Sequence, residues 1–462
     1  MKIMLILPAP EHLRVRADGE VPKRKMLRFS VGLVTVAALT SGEHEVTICD
    51  ENVEALDLEA KAEVVGISFM TALAPRAYEL AEHFRRRGII TVAGGYHPTF
   101  RSEEALGHFD IVVAGEAEGT WPQVLKDIER GQWQRTYRSN PQQNLSAVPV
   151  PRRELMEANK KHYITTNAIQ TGRGCNHRCS FCSVSAFFGH RHRSRPLEDV
   201  LAELRDVPRH FMFVDDNIIA DPDYAKRLFR AMVPMKKKWI SQCSIEIAND
   251  DELLCLAHKA GCRGLFVGIE TINEDNLQAV EKQFNDPKGY IRRVRKIRRT
   301  GICVQAGMIV GLDSDDVKVF ERTLKFLHKA KIDVLQLAIL TPQPGTRLWD
   351  EFEGAGRITD YDLSKYDYRH TVIEPARMTA EQLQEGADWL YRQFYRLDRI
   401  VLRSLRGVFT TGLLATWLTW RVNLTYRYDN LREGIRGCNP ARNQMTTPDA
   451  VSVPRPNAQL AR

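Results

Sequence analysis

Through the first 128 residues, short apolar runs alternate with segments of helical periodicity. Ile3–Leu7, Val46–Cys49, Val64–Phe69, Ile89–Ala93 and Ile111–Val113 read as strands, and stretches such as Arg76–Arg87 between them read as amphipathic helices. Five strands in βα order predict a flavodoxin-like, Rossmann-type parallel sheet, which binds ligands beyond the carboxyl ends of its strands. The polar stretch Gly131–Val150, with Pro141 and Pro149 and followed by Pro151, breaks this rhythm and reads as a linker. A second series then begins, with strand candidates Thr165–Gln170, Phe211–Val214, Ile240–Ile247, Gly264–Ile269, Cys303–Val310 and Val334–Leu340. Leu197–Arg205, Asp251–Lys259 and Val317–Lys329 are among the helices between them, so the unit is a curved sheet or partial (β/α)6 barrel with its chemistry on the loops after the strands. From Thr379 an amphipathic run continues to Arg406, and the last twenty or so residues read as disordered. The resulting division is 1–140, a linker at 141–162, a barrel at 163–375, a helical extension at 376–440 and a tail at 441–462.

Composition narrows the class. The 462 residues are 43% hydrophobic and 27% charged, which excludes a wholly disordered, collagenous or coiled-coil chain. No apolar run reaches the roughly 20 residues needed to span a bilayer. The opening MKIMLILPAPEH reads as a buried first strand rather than a signal peptide. Six of nine cysteines (Cys49, Cys243, Cys255, Cys262, Cys303 and Cys438) are scattered, most of them in apolar segments. That pattern suits a reducing cytosol and no disulfide framework.

The other three cysteines carry the chemistry. Cys175, Cys179 and Cys182 stand at C-x3-C-x2-C on the loop after the first barrel strand. Three thiolates at this spacing can hold three irons of a 4Fe–4S cluster and leave the fourth iron open to a chelating substrate. A Cys3His zinc site using His177, His190 or His192 is the bland alternative.

The triplet, with aromatic Phe181 before the last cysteine, resembles the radical S-adenosylmethionine superfamily, and the likeness extends from Tyr163 to Pro344. The resemblance implies that Cys175, Cys179 and Cys182 bind the cluster and Phe181 lies beside the adenine. A reduced cluster would pass one electron to the sulfonium of S-adenosylmethionine, and the resulting 5′ radical would abstract hydrogen. An external donor of flavodoxin or ferredoxin type would supply that electron. Asp215, Asp216 and Asn217, after the second strand, would face the amino and carboxylate ends of the cofactor, with helix capping by Asp215 or Asn217 as the alternative. Glu270, in Gly268-Ile269-Glu270-Thr271, would approach the ribose. Glu246 reads either as a barrel carboxylate on the third strand or as a solvated turn residue. Gly307-Met308-Ile309-Val310-Gly311 follows the family's G-x-I-x-G pattern, but Ser314, flanked by Asp313 and Asp315, replaces the acidic residue expected after it.

The N-terminal unit resembles the cobalamin-binding domain fused to one branch of that superfamily. The likeness rests on Ser68-Phe69-Met70-Thr71, Gly94-Gly95-Tyr96-His97-Pro98 and Gly115-Glu116-Ala117-Glu118. It implies that Ser68, Thr71, Gly94, Gly95, Gly115 and Glu116 bind cobalamin, although a Gly-Gly pair in such a sheet also serves as a plain turn. The family's D-x-H-x-x-G is missing after the first strand, where His12 reads as a loop residue, so cobalamin is expected without a histidine lower ligand.

Two basic regions remain. Lys288–Arg299 holds seven basic residues, but Ile291, Val294 and Ile297 recur on one face, which predicts a barrel helix rather than a nucleic-acid surface. His190–Arg195 could neutralise a cofactor carboxylate or serve as surface charge. In the tail, Gly407–Trp420 is uncharged for fourteen residues among seven arginines. It reads either as an interfacial membrane element, which would make the protein peripheral at the inner membrane face, or as a helix packed on the barrel. The whole predicts a cobalamin-dependent methyltransferase acting on an unactivated carbon of a small-molecule or lipid-like substrate. A relative performing cyclisation or rearrangement, and a non-catalytic iron–sulfur protein, are the alternatives.

Overall fold

The computed structural model describes residues 1–16, 30–139 and 145–437. The first sheet contains β1 (Lys2–Leu7), β2 (Glu45–Asp50), β3 (Val64–Ser68), β4 (Ile90–Gly94), β5 (Ile111–Ala114) and β6 (Thr136–Arg138), in the spatial order β2-β1-β3-β4-β5-β6. Every pairing is parallel. The central strands are buried along nearly their whole length, because helices cover both faces. Gly66 in β3 is a packing requirement: a Cβ there would come within 2.9 Å of the Leu5 side chain.

β6 lies in the stretch expected to be linker. Three residues give too little periodicity to register in sequence, yet Thr136 pairs with Val112 and the Tyr137 hydroxyl donates to Asp127 at 2.8 Å. The segment after it is also docked. Met156 packs with Val34, Val53, Tyr163 and Ala168 in one cluster shared by the two halves of the chain.

The second sheet contains β7 (Ala168–Ile169), β10 (His210–Phe213), β11 (Lys238–Cys243), β12 (Cys262–Glu270), β13 (Cys303–Val310) and β14 (Val334–Ile339), while β8 (Gly172–Arg173) and β9 (Arg193–Ser194) form a small antiparallel pair beside it. The six strands are parallel and follow one another in chain order from β7 to β14, the layout of an open, partial barrel. The third barrel strand is shorter than expected. It ends at Cys243, and Ile245–Asn249 form a tight helical turn that carries Glu246, so Glu246 is a turn residue.

The basic helix spans Pro287–Arg299 and buries Val294 and Ile297 as the periodicity predicts, while Tyr290 is fully buried and Ile291 only partly so. One of its arginines is structural: Arg298 makes two 2.9 Å bonds to buried Asp333. The amphipathic run after Thr379 is two helices, Ala380–Phe394 and Leu397–Thr410. A capping box between Thr379 and Gln382 starts the first. The chain breaks at Tyr395, whose buried hydroxyl accepts from the Leu335 N–H at 3.1 Å and donates to the Leu335 carbonyl. A third helix, Leu413–Gly437, packs on β12, β13 and β14. No helix among the described residues is long and apolar enough to cross a membrane. The tail expected to be disordered, 441–462, lies outside the described residues, as does Cys438.

Candidate active site

The carboxyl ends of the two sheets meet. After β4, the Tyr96 hydroxyl donates to the Pro344 carbonyl at 2.9 Å, in the loop that follows β14. Phe100 lies against Gly345, whose φ of +85° and lack of a side chain allow that approach. The Phe187 ring sits 6.3 Å from Tyr96 and 6.5 Å from Phe100, closing an aromatic wall between the halves.

The cysteine loop is fastened on both sides. Asp215, fully buried after β10, accepts from the Thr171 and Gly172 N–H groups at 3.0 and 2.7 Å and from the Thr171 hydroxyl at 2.6 Å. Asp216 accepts from the Gly174 N–H at 3.4 Å, and Asn217 from the Ser244 N–H at 3.1 Å. Burial pushes the Asp215 carboxyl up to about 7 and Asp216 up to about 6. Neither Asp215 nor Asn217 caps the next helix, since Asp221 does so by accepting from the Tyr224 N–H at 3.0 Å. Asp215 therefore positions the loop with its own hydrogen bonds. On the far side, the Ser180 N–H donates to the Val280 carbonyl at 3.2 Å and the Leu348 N–H to the Ser180 carbonyl at 3.1 Å.

The three cysteines are free thiols close enough to influence one another. Burial raises Cys179 to about 12, and the ammonium of Lys282 offsets part of that rise. Lys282 is mostly buried and bonded to Glu270 at 2.6 Å. Burial works against its charge, but Glu270 and Cys179 outweigh burial and hold its pKa above the ordinary lysine value. The backbone contributes as well: Glu270 sits at φ +65°, at a register shift between β12 and β13, which turns its carboxylate toward Lys282. Phe181 lies 5.9 Å from the same ammonium and packs under the loops of β12–β14.

The histidines near the triplet have other work. His177 stacks on Phe284 at 3.6 Å, with Nε2 3.2 Å from Glu246. His192 Nδ1 lies 3.2 Å from the Gly174 carbonyl, and His190 is exposed. Among the described residues no three His, Cys, Asp or Glu side chains converge to hold a single metal ion. A cubane cluster does not require that convergence, because each thiolate takes a different iron. Two arginines of the basic run His190–Arg195 are committed internally, Arg193 to Glu116 at 2.8 Å and Arg195 to buried Glu203 at 2.6 Å, while His190 and Arg191 are exposed. After β13, buried Asp315 closes its own loop by accepting from the Gly311 and Leu312 N–H groups at 3.0 and 3.1 Å. Asp313 instead pairs outward with Arg357 at 2.7 Å.

Across the interface, Ser68, Gly94 and Gly115 stand at or just after the ends of β3, β4 and β5. Gly95 has φ +97°, and a Cβ there would lie 2.9 Å from the Ser68 hydroxyl and 3.0 Å from the Phe69 backbone. Gly115 has φ +90°, and a Cβ would strike the Ser139 hydroxyl at 2.5 Å. Thr71 is completely buried, yet its Oγ1 has no hydrogen-bond partner among the described residues, which fits a polar ligand or water at this strand end. The Glu116 side chain points elsewhere: its carboxylate bonds Arg173 and Arg193, and only its backbone N–H, bonded to the Ser139 hydroxyl at 2.8 Å, stays on the β5 loop. His12 is exposed on the turn after β1.

Residues 169–327 match the sequence profile of the radical SAM superfamily, and residues 23–125 match that of the B12 binding domain. Bacteriochlorophyllide d C-12(1)-methyltransferase of Chlorobaculum tepidum is 30% identical over 404 residues, covering 85% of this chain and 87% of that one. The C-8(2)-methyltransferase of the same organism is 27% identical over 409 residues, covering 84% and 90%. The chain belongs to the cobalamin-dependent radical SAM methyltransferase family. The fold agrees: the radical S-adenosylmethionine methyltransferase TsrM of Kitasatospora setae superposes with a TM-score of 0.67 at 17% identity, covering 95% of this chain and all of that one.

As a member of this family the protein is an enzyme, and its cofactors are a 4Fe–4S cluster, S-adenosylmethionine and cobalamin. The non-catalytic reading is thereby set aside. The residues present fit these groups: three free thiols on one loop for the cluster, and glycine-lined strand ends with an orphaned Thr71 hydroxyl for cobalamin. Sequence reasoning missed Lys282 and Arg173, and it marked Arg193 only as part of a basic run, without its partner Glu116. None stands in a recognisable spacing, and only the fold brings Lys282 to the triplet and the two arginines to Glu116.

Proposed function

We propose that this radical SAM enzyme transfers a methyl group from S-adenosylmethionine to an unactivated carbon of a small-molecule or lipid-like substrate held between the two sheets. One observation carries the reading. The glycine-lined ends of β3–β5 and the cysteine loop after β7 open toward each other, joined by Tyr96–Pro344 and by Glu116 with Arg173 and Arg193. When bound, the cluster with S-adenosylmethionine supplies a carbon-centred radical chemistry, and cobalamin supplies the methyl group.

The chain's own residues hold and shield these groups. Cys175, Cys179 and Cys182 ligate the cluster, and Asp215 and Asp216 keep their loop in register. Phe181, Asp216, Asn217 and Glu270 surround the S-adenosylmethionine side, with Lys282 holding the Glu270 carboxylate in place. Ser68, Thr71, Gly94, Gly95 and Gly115 form the cobalamin cradle. Tyr96, Phe100 and Phe187 keep water from the seam, as a radical reaction requires. Cys175 and Cys182 retain partial exposure, which suits electron delivery by a flavodoxin- or ferredoxin-type donor. The loop after β1 lacks the D-x-H-x-x-G pattern and its His12 stands on an exposed turn, so cobalamin would be held without a histidine lower ligand from that loop. A nitrogen coupling from histidine in the EPR spectrum of the Co(II) form would overturn that assignment.

The test is anaerobic reconstitution with iron, sulfide and cobalamin, followed by incubation with methyl-labelled S-adenosylmethionine and an extract of the source cells. Labelled product together with 5′-deoxyadenosine is the expected result. 5′-Deoxyadenosine and a changed but unlabelled product would instead establish cyclisation or rearrangement.

A further inference from the structure

The helices Leu397–Thr410 and Leu413–Gly437 form a hairpin whose outer surface is apolar. In the first helix only Ile400 and Gly407 are buried. Leu397, Val401, Leu405 and Val408 recur at helical spacing as an exposed stripe. At the turn, Phe409 is 88% exposed and Leu413 75%, with Trp417 beside them at 54%. Single exposed apolar residues are ordinary, but a continuous stripe ending in a bare aromatic tip marks an interaction surface.

Its charge identifies the partner. Between 397 and 428 the chain has five arginines and one acidic residue, Asp398. Arg399, Arg406 and Arg421 are exposed around the apolar surface, and the Arg421 guanidinium lies 5.0 Å from the Trp417 ring. An isologous contact with a second copy would set this arginine rim against itself. Anionic phosphate headgroups over an apolar interior complement both features.

The hairpin's attachment gives the orientation. The Thr410 hydroxyl accepts from Arg298, at the end of the helix leading into β13, at 3.3 Å. Asn423 Nδ2 donates to the carbonyl of Asp333, the residue before β14, at 3.0 Å. Both contacts lie where the barrel strands begin, the end opposite the cysteine loop.

We propose that this hairpin docks the enzyme on an anionic lipid surface, with the apolar tip inserted at headgroup depth and the cluster face turned toward the aqueous phase. The docking is independent of which carbon is methylated, and it leaves the cysteine loop accessible to a soluble electron donor.

The test is anaerobic flotation of the full-length, cluster-loaded protein with vesicles of phosphatidylcholine alone or mixed with phosphatidylglycerol. The protein is expected to float with the mixed vesicles, release in high salt, and stay behind with phosphatidylcholine alone. The double variant Phe409→Ser/Leu413→Ser should lose about tenfold in bound fraction. Arg406→Glu/Arg421→Glu, a surface change that leaves the apolar tip intact, should do the same, with iron content unchanged in both. Failure of the unaltered protein to float, or flotation of both variants at its level, overturns the proposal. So does a dimer in sedimentation that the Phe409/Leu413 variant abolishes without any vesicle binding, which would make the face a contact between copies.

Discussion

The Glu116 carboxylate lies 2.6 Å from Nη1 of Arg173, and both side chains are almost entirely buried. Glu116 follows the fifth strand of the cobalamin-type sheet, and Arg173 stands two residues before the first cysteine. The pair therefore ties one cofactor loop to the other. Breaking a buried pair by removing one charge leaves the other uncompensated and costs about 3–5 kcal/mol. Arg173 keeps a second buried carboxylate, Glu118, so Glu116→Gln, which keeps the shape, should destabilise the protein by less than that, about 1–3 kcal/mol for the charged hydrogen bonds lost. Urea denaturation of the cofactor-free protein measures this directly.

The same pair sets a pH dependence. Burial opposes the Glu116 charge, but Arg193 and Arg173 outweigh it and hold the carboxyl below its ordinary value. A depressed folded-state value adds stability that is present above the unfolded-state pKa of about 4.3 and lost as pH falls through the folded one. Stability should therefore drop on the acid side of about pH 4.3, and the drop should be shallower in Glu116→Gln. Parallel acid denaturation curves for the two proteins would contradict this assignment.

Lys282 places a positive charge beside Cys179 and Cys182 and neutralises Glu270. Lys282→Met should lower the reduction potential of the bound cluster, because a cation near it favours the added electron. It should also leave Glu270 buried without a partner. Lys282→Arg should restore most of the potential. Redox titration of the three loaded proteins separates this electrostatic role from a purely structural one, which would leave the potential where it was.

Gly95 admits no side chain, because its φ of +97° is compounded by a Cβ that would meet Ser68 and the Phe69 backbone. Gly95→Ala should weaken cobalamin binding by about tenfold or more, given a strain of the order of 1–3 kcal/mol at the ligand cradle. Thr71→Val, which removes the orphaned hydroxyl and keeps the volume, should weaken it less. Absorbance titration with hydroxocobalamin provides both values, while iron content should stay unchanged.

Much of the architecture was legible along the chain. Apolar runs such as Val64–Phe69 and Cys303–Val310 become strands within a residue or so of their expected ends, because a strand buried on both faces must be apolar throughout. The cysteine spacing marked its loop for a different reason: it reflects local ligand chemistry rather than long-range packing. Where the signal was short or two-sided, it failed. Thr136–Arg138 pairs as a sixth strand without a readable pattern, and the run from Thr379 divides at Tyr395, whose hydroxyl is bonded to the Leu335 carbonyl on β14, 60 residues away.

Two βα units, the clustered thiols Cys175, Cys179 and Cys182 and the glycines at the strand ends of the facing sheet were readable along the chain alone. Tertiary structure alone decided the partners of the charges. Glu116 reaches Arg173 and Arg193 from 57 and 77 residues away, and Lys282 meets Glu270 beside the thiols across a register shift. It also decided that the C-terminal hairpin leaves its apolar face uncovered among the described residues. The physical reason is common to all three. A local pattern reports which way a side chain must face, whereas a buried charge or an exposed apolar stripe acquires its meaning only from what the rest of the chain brings against it.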